Sequence, residues 1–412
     1  MAEVNVRRRG AGDHEACHCG PQRTSGDGVR AAPKPATAAR SERPATGCGQ
    51  SRSLPLRPGA KCLAKTGGHP GGRRDNQRRF VAPTVEVRPL SSAAPFSEGL
   101  AVRGLVKIHP GPVCALKGVD LDIPQGMFGL LGPNGAGKST FMSIVAGLVE
   151  PTAGDVWLDG TNIVEKPQFV RERLGFLPQD FGFYPDLSGQ AMLEFLLRLK
   201  GISGPKGRAA LAGQLLERVN LTDAAKRKVG GYSGGMRQRL GLAQAIAGNP
   251  RILIVDEPTA GLDPEERQRF YRLLAEMSVG RVVLLSTHIV DDVATLCPRL
   301  AVIRSGEVVS DTTPTAARTA VDGLVREGFV DDAALPAFAK EHRMLSAVLV
   351  EGRTNRVRIF LPPGAATPPG FMPSPGTLED AYLVLMRCPP HEIPGPLARA
   401  IPASASPVGA AR

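Results

Sequence analysis

The chain has 412 residues, 42% hydrophobic and 22% charged, with 48 glycines and 37 prolines. This length suffices for two ordinary domains and some unfolded chain. The sequence contains no run of roughly 18 or more apolar residues, the minimum for a membrane-spanning helix. We therefore expect any membrane crossing to be made by another chain.

The net charge of +12 is concentrated at the N-terminus. Residues 1–95 hold 17 Lys/Arg and 7 Asp/Glu, a net of +10, which leaves +2 for residues 96–412. A strongly basic protein is ordinarily a candidate for nucleic-acid binding, but here the remaining chain is close to neutral. No nucleic-acid partner is therefore expected. Cys114, Cys297 and Cys388 are scattered, which favours a reducing compartment over a disulfide framework.

Residues 1–95 are rich in Arg, Gly, Pro, Ala and Ser and lack a sustained hydrophobic period. Such a segment buries too little apolar surface to offset its conformational entropy, so the sequence predicts a disordered basic tail. Three interpretations stay open: an inert or wrongly included extension, an organelle-targeting peptide, and an electrostatic arm for acidic lipid or nucleic acid. Cys17-His18-Cys19 lacks a second pair at zinc spacing, so no metal site is predicted there.

From about residue 96 short apolar strands alternate with helical periodicity. The predicted strands cover residues 127–131, 252–255, 282–285 and 300–303, and a helical pattern covers 270–277. Apolar strands separated by helices indicate an α/β domain with a mainly parallel sheet covered on both faces, here over residues 96–315. Residues of about 180–235 are mostly helical in pattern, which predicts an inserted helical subdomain.

A second, smaller unit is predicted for residues 316–388. It contains a strand pair at 345–350 and 356–360 and closes with a helix at 378–386, which together indicate a small α+β C-terminal domain. The last stretch, residues 389–412, is rich in Pro and Ala and is predicted to be a disordered tail.

A phosphate-binding loop follows the strand at 127–131 and opens a helix. Its residues are Gly132, Pro133, Asn134, Gly135, Ala136, Gly137, Lys138, Ser139 and Thr140. Glycines let backbone N–H groups close around a phosphate, and the helix N-terminus adds positive potential. Lys138 can reach the β and γ oxygens, and the Ser139 hydroxyl can bind magnesium. The pattern therefore predicts a P-loop nucleotide-binding protein.

The apolar strand at 252–255 ends in the carboxylates Asp256 and Glu257. The carboxyl end of a strand is where an α/β sheet presents its ligands. We expect Asp256 to hold Mg²⁺, usually through water, and Glu257 to act as the general base for an attacking water. Two acids at a strand end are often only a solvated turn, and it is their combination with the loop that favours catalysis.

The turn Tyr232-Ser233-Gly234-Gly235-Met236 precedes another helix. Together with the loop and the carboxylate pair it resembles the signature motif of ATP-binding cassette (ABC) proteins. The resemblance covers roughly residues 99–309, with the motifs in the family's order and spacing. It implies a P-loop NTPase of the ABC type, with Ser233, Gly234 and Gly235 contacting the nucleotide. Residues 174–187 and 376–382 resemble the single-cassette exporter type.

The resemblance also implies further site residues. Gln179 matches the glutamine that senses magnesium, His288 matches the switch histidine near the γ-phosphate, and residues 260–263 match the aspartate loop at the dimer seam. The family's adenine-stacking aromatic is replaced here by His109. Tyr232 and Met236 also stand where Leu and Gln are commoner in the signature. Ser233 and Gly235 are retained, so hydrolysis is expected to survive.

The resemblance implies an ATP-hydrolysing transporter subunit that uses ATP and Mg²⁺. Its expected partners are a second copy of the cassette, with ATP between the two, and separate transmembrane permease subunits that carry an exported substrate. The expected location is cytoplasmic, peripheral on the cytoplasmic face of the cell membrane. The alternatives are a soluble non-transport ABC ATPase and a regulator without turnover. The intact Glu257 argues against the regulator.

Overall fold

The computed structural model describes residues 98–111, 113–179 and 182–398. The tail predicted for residues 1–95, including Cys17-His18-Cys19, lies outside the described residues. In chain order, strands β1 to β14 are Leu100–His109, Val113–Ile123, Gly126–Leu131, Ala153–Leu158, Thr161–Asn162, Leu174–Leu177, Ile252–Asp256, Val282–Thr287, Arg299–Arg304, Glu307–Thr312, Val325–Asp331, Arg343–Glu351, Thr354–Phe360 and Met372–Pro373. Helices α1 to α10 are Lys138–Val145, Pro167–Arg171, Gly189–Leu199, Arg208–Arg218, Gly234–Ile246, Pro264–Met277, Val290–Leu296, Pro314–Val321, Leu335–Glu341 and Leu378–Arg387.

The central sheet has six strands in the order β10-β9-β3-β8-β7-β6. All neighbours are parallel except the β9–β10 pair at the edge. Alternate residues of β3 enter opposite cores: Phe128 and Leu130 pack on one side, and Met127 and Leu131 on the other. A sheet buried on both faces needs apolar residues at every position, and this confirms the predicted α/β fold.

A second, antiparallel sheet in the order β2-β1-β4-β5 covers one face of the central sheet together with α1. The sequence patterns did not identify this sheet. Its strands are interrupted by glycines and register shifts, as between Val102 and Leu105 on β1, so their apolar residues do not form an uninterrupted alternation.

Helices α3, α4 and α5 pack against one another on the other face and form the helical region expected from the pattern. Ser188 caps the N-terminus of α3, and its Oγ accepts a hydrogen bond from the Ala191 N–H at 3.2 Å. Such a cap satisfies a donor that the first helical turn otherwise leaves free. Among the described residues, no helix is both long and apolar enough to cross a bilayer.

The C-terminal unit has a four-stranded antiparallel sheet in the order β12-β13-β11-β14. Its own core is small, with Val357, Ile359 and Phe371 packed against residues of α9. Helices α8 and α10 bury their apolar residues in the same core as α5, α6 and α7. The unit predicted for residues 316–388 therefore shares its main core with the preceding residues.

The boundary predicted at residue 389 differs from the structure. Pro390–Glu392 forms a 3-10 helix, and Leu397 is buried, with its carbonyl accepting a 2.7 Å hydrogen bond from Ser310 Oγ. Ordered chain thus continues to Ala398 because one leucine and one carbonyl beyond the helix find buried partners. Residues 399–412 of the predicted tail lie outside the described residues.

Candidate functional site

The loop between β3 and α1 is shaped by two glycines whose positions exclude a side chain. Gly137 has φ 109°, and a Cβ there would lie 2.6 Å from the Ala115 carbonyl oxygen. A Cβ on Gly132 would lie 2.4 Å from the Ile303 carbonyl oxygen. The loop is therefore held tightly against β2 and β9, and its backbone N–H groups can face a phosphate.

Lys138, the first residue of α1, is buried at 5% exposure. Its Nζ donates to the Gly132 carbonyl at 2.6 Å and to the Pro133 carbonyl at 3.3 Å, and it lies 3.8 Å from Glu257 Oε1. Burial lowers the pKa of Lys138, while the carboxylates of Glu257 and Asp256 oppose that shift. The ammonium group thus stands in a low-dielectric environment, where its attraction to an anion is strong.

Glu257, the second carboxylate at the end of β7, is buried and has an unusual backbone conformation. Glu257 is 6% exposed and has φ 47°, a left-handed conformation that a non-glycine residue rarely adopts. Its N–H donates to the Ser286 carbonyl at 2.9 Å, which ties it to β8. Because strained backbone persists only where the surroundings hold it, this conformation indicates that the neighbouring segments fix Glu257 in place.

His288 follows β8, and its Nδ1 lies 2.5 Å from Glu257 Oε2. Both residues line a cavity of about 400 Å³. The structure brings most of the predicted residues into this cavity wall: Pro133, Asn134, Gly135, Gly137, Lys138, Ser139, Thr140, Gln179, Asp256, Glu257 and His288. Gly132 and Ala136 are buried behind the loop and support its shape.

The chemistry of the cavity fits a divalent cation. Asp256 Oδ1 is buried and has no hydrogen-bond partner among the described residues. Burial raises the pKa of Asp256 and the neighbouring Glu257 charge raises it further, although the Ser286 hydroxyl and the Lys138 charge oppose the shift. A bound cation would give this oxygen the positively charged partner that it lacks. The Ser139 hydroxyl and the Gln179 amide line the same wall, and oxygen donors of this kind suit Mg²⁺.

Comparisons with known proteins decide which family carries this arrangement. A family model described as ABC transporter matches residues 116–260. The chain is 34% identical over 287 residues to the Nod factor export ATP-binding protein I of Burkholderia orbicola (strain AU 1054), covering 67% of this chain and 93% of that protein. The chain belongs to the ATP-binding subunits of ABC transporters. It is therefore an ATPase, and the predicted family and P-loop fold are confirmed.

One further curated relative agrees with this membership, and a solved structure is also similar to the chain. The chain is 36% identical to the daunorubicin/doxorubicin resistance ATP-binding protein DrrA of Streptomyces peucetius, over 61% of this chain and 76% of that protein. A solved structure of the ATP-binding cassette MJ0796, dimeric and bound to ADP and Pi, is 28% identical over 52% of this chain and 98% of that chain, with a TM-score of 0.47.

The structure places His109 next to Thr140 of the cavity wall, and its predicted contact with adenine stays a prediction. This residue is half-buried at the end of β1, with Nε2 3.4 Å from Thr140 Oγ1, and the structure does not bring it into the cavity wall. The wall contains instead Val113, Cys114 and Ala115 at the start of β2. Sequence reasoning missed these three residues because only the β1–β2 hairpin and the contact between Ala115 and Gly137 place them beside the loop.

The signature turn lies outside this cavity. Ser233 is exposed and caps α5, with its Oγ accepting from the Met236 N–H at 3.2 Å, while Gly234 is exposed and Gly235 is buried. None of the three residues lines the cavity made by the loop of the same chain. The free face of the turn can therefore be contacted by another molecule.

The unusual Tyr232 of the signature turn has a structural explanation. Its ring is buried, and its OH donates to the Ala224 carbonyl at 2.8 Å. A Cβ on Gly189, the first residue of α3, would lie 2.0 Å from this hydroxyl oxygen. A larger side chain than leucine fits here because α3 begins with glycine.

The signature helix α5 and the helix α6, which follows the aspartate loop, are joined by an ion pair. Arg239 on α5 lies 2.7 Å from Glu266 on α6, and both side chains are largely buried. Gly235 allows this approach, since a Cβ there would lie 2.4 Å from Glu266 Oε2. Asp263, the last residue of the aspartate loop, caps α6 by accepting from the Glu266 N–H at 2.8 Å. The two motifs are therefore held together within one chain.

Proposed function

We propose that this ATPase powers the export of a substrate through separately encoded membrane subunits, working as a homodimer at the cytoplasmic face of the cell membrane. The observation that carries the proposal is the convergence of Lys138, Asp256, Glu257 and His288 on one cavity, while Ser233 stays exposed outside it. The loop of each chain binds the phosphates of one ATP, and the signature turn of that same chain lies too far outside the cavity to contact this ATP.

In this proposal each residue around the cavity has one role. The loop N–H groups and Lys138 bind the phosphates and oppose the charge that develops on the terminal phosphate. Glu257, beside Lys138 and His288, accepts the proton of the attacking water. The His288 side chain is about half exposed and can contact the terminal phosphate. Asp256, Ser139 and Gln179 hold Mg²⁺, which supplies charge neutralisation at the phosphates.

The second copy completes the site. Ser233, Gly234 and Gly235 at the N-terminus of α5 offer a hydroxyl and backbone N–H groups to an anion. Because they lie outside the cavity of their own chain, we assign them to the nucleotide of the partner copy. ATP then joins two surfaces, and hydrolysis followed by phosphate release separates them, which gives a two-state switch that can act on an attached membrane protein.

The direction of transport is supported by the relatives. One is named for Nod factor export and another for daunorubicin/doxorubicin resistance. The similarity covers 93% of the first relative and 76% of the second. Both names describe removal of a compound from the cell or protection against it. The substrate of this chain is set by its membrane partner, and the proposal names no compound.

The experiment is a turnover assay of Glu257→Gln in the full chain. The amide keeps the shape of the side chain but cannot take a proton, so kcat falls by about 10²- to 10⁴-fold. ATP binding is retained, because Lys138 and the loop are unchanged. Phosphate release and the binding of a fluorescent ATP analogue measure the two effects.

The matched control is Glu172→Gln at the end of α2, where the carboxylate is exposed and only its Gln168 and Arg173 contacts change. This variant should keep wild-type turnover. If Glu257→Gln hydrolyses ATP at more than about a tenth of the wild-type rate, Glu257 is not the base, because such a loss is below the usual effect of removing one.

A further inference from the structure

One buried carboxyl group joins the three segments that surround the catalytic residues. Asp292, on α7, is 0% exposed. Its Oδ2 accepts hydrogen bonds from Thr259 Oγ1 and from Thr287 Oγ1, the latter at 3.4 Å, and its Oδ1 accepts one from the hydroxyl of Tyr271. Asp292 does not line the nucleotide cavity, so it has no direct contact with ATP in this arrangement.

Each of the three hydroxyls belongs to a different functional segment. Thr259 is 1% exposed and lies two residues after Glu257, and its carbonyl accepts from the Leu262 N–H at 3.2 Å in the aspartate loop. Thr287 is 0% exposed and immediately precedes His288. Tyr271 lies on α6, the helix that begins after the aspartate loop. Asp292 therefore contacts the base segment, the histidine segment and α6 together.

The burial of these groups makes the arrangement specific. A carboxylate removed from water must be hydrogen-bonded, and here the two oxygens accept from three hydroxyls at fixed positions. Thr287 Oγ1 also accepts from the Ile289 N–H at 3.0 Å, which fixes the turn that carries His288. The left-handed backbone of Glu257 needs such restraints on its neighbours in order to persist.

We propose that Asp292 is a positioning residue for ATP hydrolysis. Through Thr259 it holds the segment of Glu257, and through Thr287 it holds His288, so that the carboxylate and the imidazole keep their contact. Through Tyr271 it makes this contact depend on α6 and on the aspartate loop. The inference rests on the roles proposed above for Glu257 and His288.

The test compares three variants of the full chain: Asp292→Asn, Thr259→Val and Thr259→Ser. Valine has the shape of threonine without its hydroxyl, and serine restores the hydroxyl. We expect Asp292→Asn and Thr259→Val to lower kcat by about tenfold or more, with KM for ATP within about twofold of wild type, since a lost hydrogen bond displaces the base without changing the phosphate contacts. Thr259→Ser should recover most of the wild-type kcat.

A double mutant separates positioning from general loss of stability. Because both changes act on the same hydrogen-bonded pair, Thr259→Val combined with Asp292→Asn should lower kcat by less than the two separate effects combined. The control is Asp380→Asn, which alters a carboxylate of 2% exposure bonded to Arg358 and Thr377 on the C-terminal unit. This control should lower the unfolding temperature and leave kcat and KM unchanged.

Two results would overturn the inference. Wild-type kcat in both Asp292→Asn and Thr259→Val would mean that the carboxyl group does not position the base. A fall in unfolding temperature with unchanged kcat per folded molecule, as expected for Asp380→Asn, would mean that its role is structural only. If Asp292→Asn does not fold, the Thr259 pair alone decides the matter. If Glu257→Gln loses turnover while Thr259→Val keeps the wild-type kcat, this inference fails and the proposed function stands. If Glu257→Gln keeps turnover, the proposed function itself fails.

Discussion

Asp256 stands where its own charge is unfavourable in the absence of a cation. Burial is the main cause of its raised pKa, and the Glu257 charge adds to it. A folded-state pKa above the usual value means that the folded chain keeps this proton to higher pH than the unfolded chain does. The contribution of Asp256 to stability therefore falls as the pH rises above the usual value of 3.8, and at neutral pH the ionised group destabilises the fold.

Asp256→Asn should therefore separate stability from activity. Without nucleotide the variant should unfold at a higher temperature than wild type at pH 7, because the amide carries no buried charge. Turnover should fall by about a hundredfold or more, as for loss of one group that stabilises developing charge. The additional stabilisation that Mg²⁺ gives to the ATP-bound wild type should be lost.

Thermal unfolding with ATP, in the presence of Mg²⁺ or of EDTA, measures both effects. A lower unfolding temperature for Asp256→Asn without nucleotide, together with an unchanged response to Mg²⁺, would show that Asp256 serves the fold and does not hold the cation.

The sequence was informative for residues that are neighbours in the chain. The loop at 132–140 is a local pattern with one chemical meaning, and its presence made the pair Asp256 and Glu257 interpretable. The contacts of Asp292 could not be predicted, because its partners Thr259, Tyr271 and Thr287 lie 33, 21 and 5 positions away and are ordinary polar residues in sequence. The adenine contact assigned to His109 stays a prediction.

At the scale of elements, the start of α5 depends on the start of α3. Tyr232 precedes the signature helix, and its hydroxyl reaches the Ala224 carbonyl over Gly189. Burial raises the pKa of Tyr232, so the neutral hydroxyl is the form that serves as donor. The orientation of the signature turn is therefore set by packing inside the helical region as well as by its own cap at Ser233.

Tyr232→Phe and Gly189→Ala should each loosen this junction. The first leaves the Ala224 carbonyl without its partner and should reduce the free energy of unfolding by about 1–3 kcal/mol. The second places a Cβ against the tyrosine hydroxyl and should cost about as much through overpacking. Urea unfolding measures both.

Gly213→Ala on α4 is the matched control for the glycine change, because a Cβ there has no neighbour within 4 Å. It should stabilise the chain by about 0.5–1 kcal/mol, as alanine favours a helix interior over glycine. Equal effects of Gly189→Ala and Gly213→Ala would contradict the packing role of Tyr232.

The elements that the sequence predicted are those with a strong period. Strands β3, β7 and β8 are continuous apolar runs because both faces are buried, and α6 shows the helical spacing of Phe270, Leu273, Leu274 and Met277. Strands β1 and β2 carried no comparable pattern. Gly118 and the register shifts break their alternation, so their pairing is decided by the tertiary fold.

At the scale of the whole molecule, the C-terminal unit is joined to the ATPase core. Arg304 at the end of β9 donates to the Leu385 carbonyl on α10 at 2.5 Å, and Ser310 on β10 donates to the Leu397 carbonyl. The end of the ordered chain could not be predicted from composition. Residues 389–412 are rich in Pro and Ala throughout, and only the tertiary fold decides that Leu397 is buried. A movement of β9 and β10 would therefore be transmitted to the C-terminal unit through these hydrogen bonds.

The central claim is that two copies of this chain enclose ATP between the loop of one and the signature turn of the other. The most direct test is the mass of Glu257→Gln in solution, measured by light scattering with Mg²⁺ and ATP. We expect twice the 43.5 kDa of one chain with ATP and a single chain without it. Adding Ser233→Glu, which places a negative charge against the partner's phosphates, should abolish the ATP-dependent dimer. A Glu257→Gln chain that binds ATP and stays monomeric, while wild type hydrolyses ATP at a specific rate independent of protein concentration, would contradict the claim.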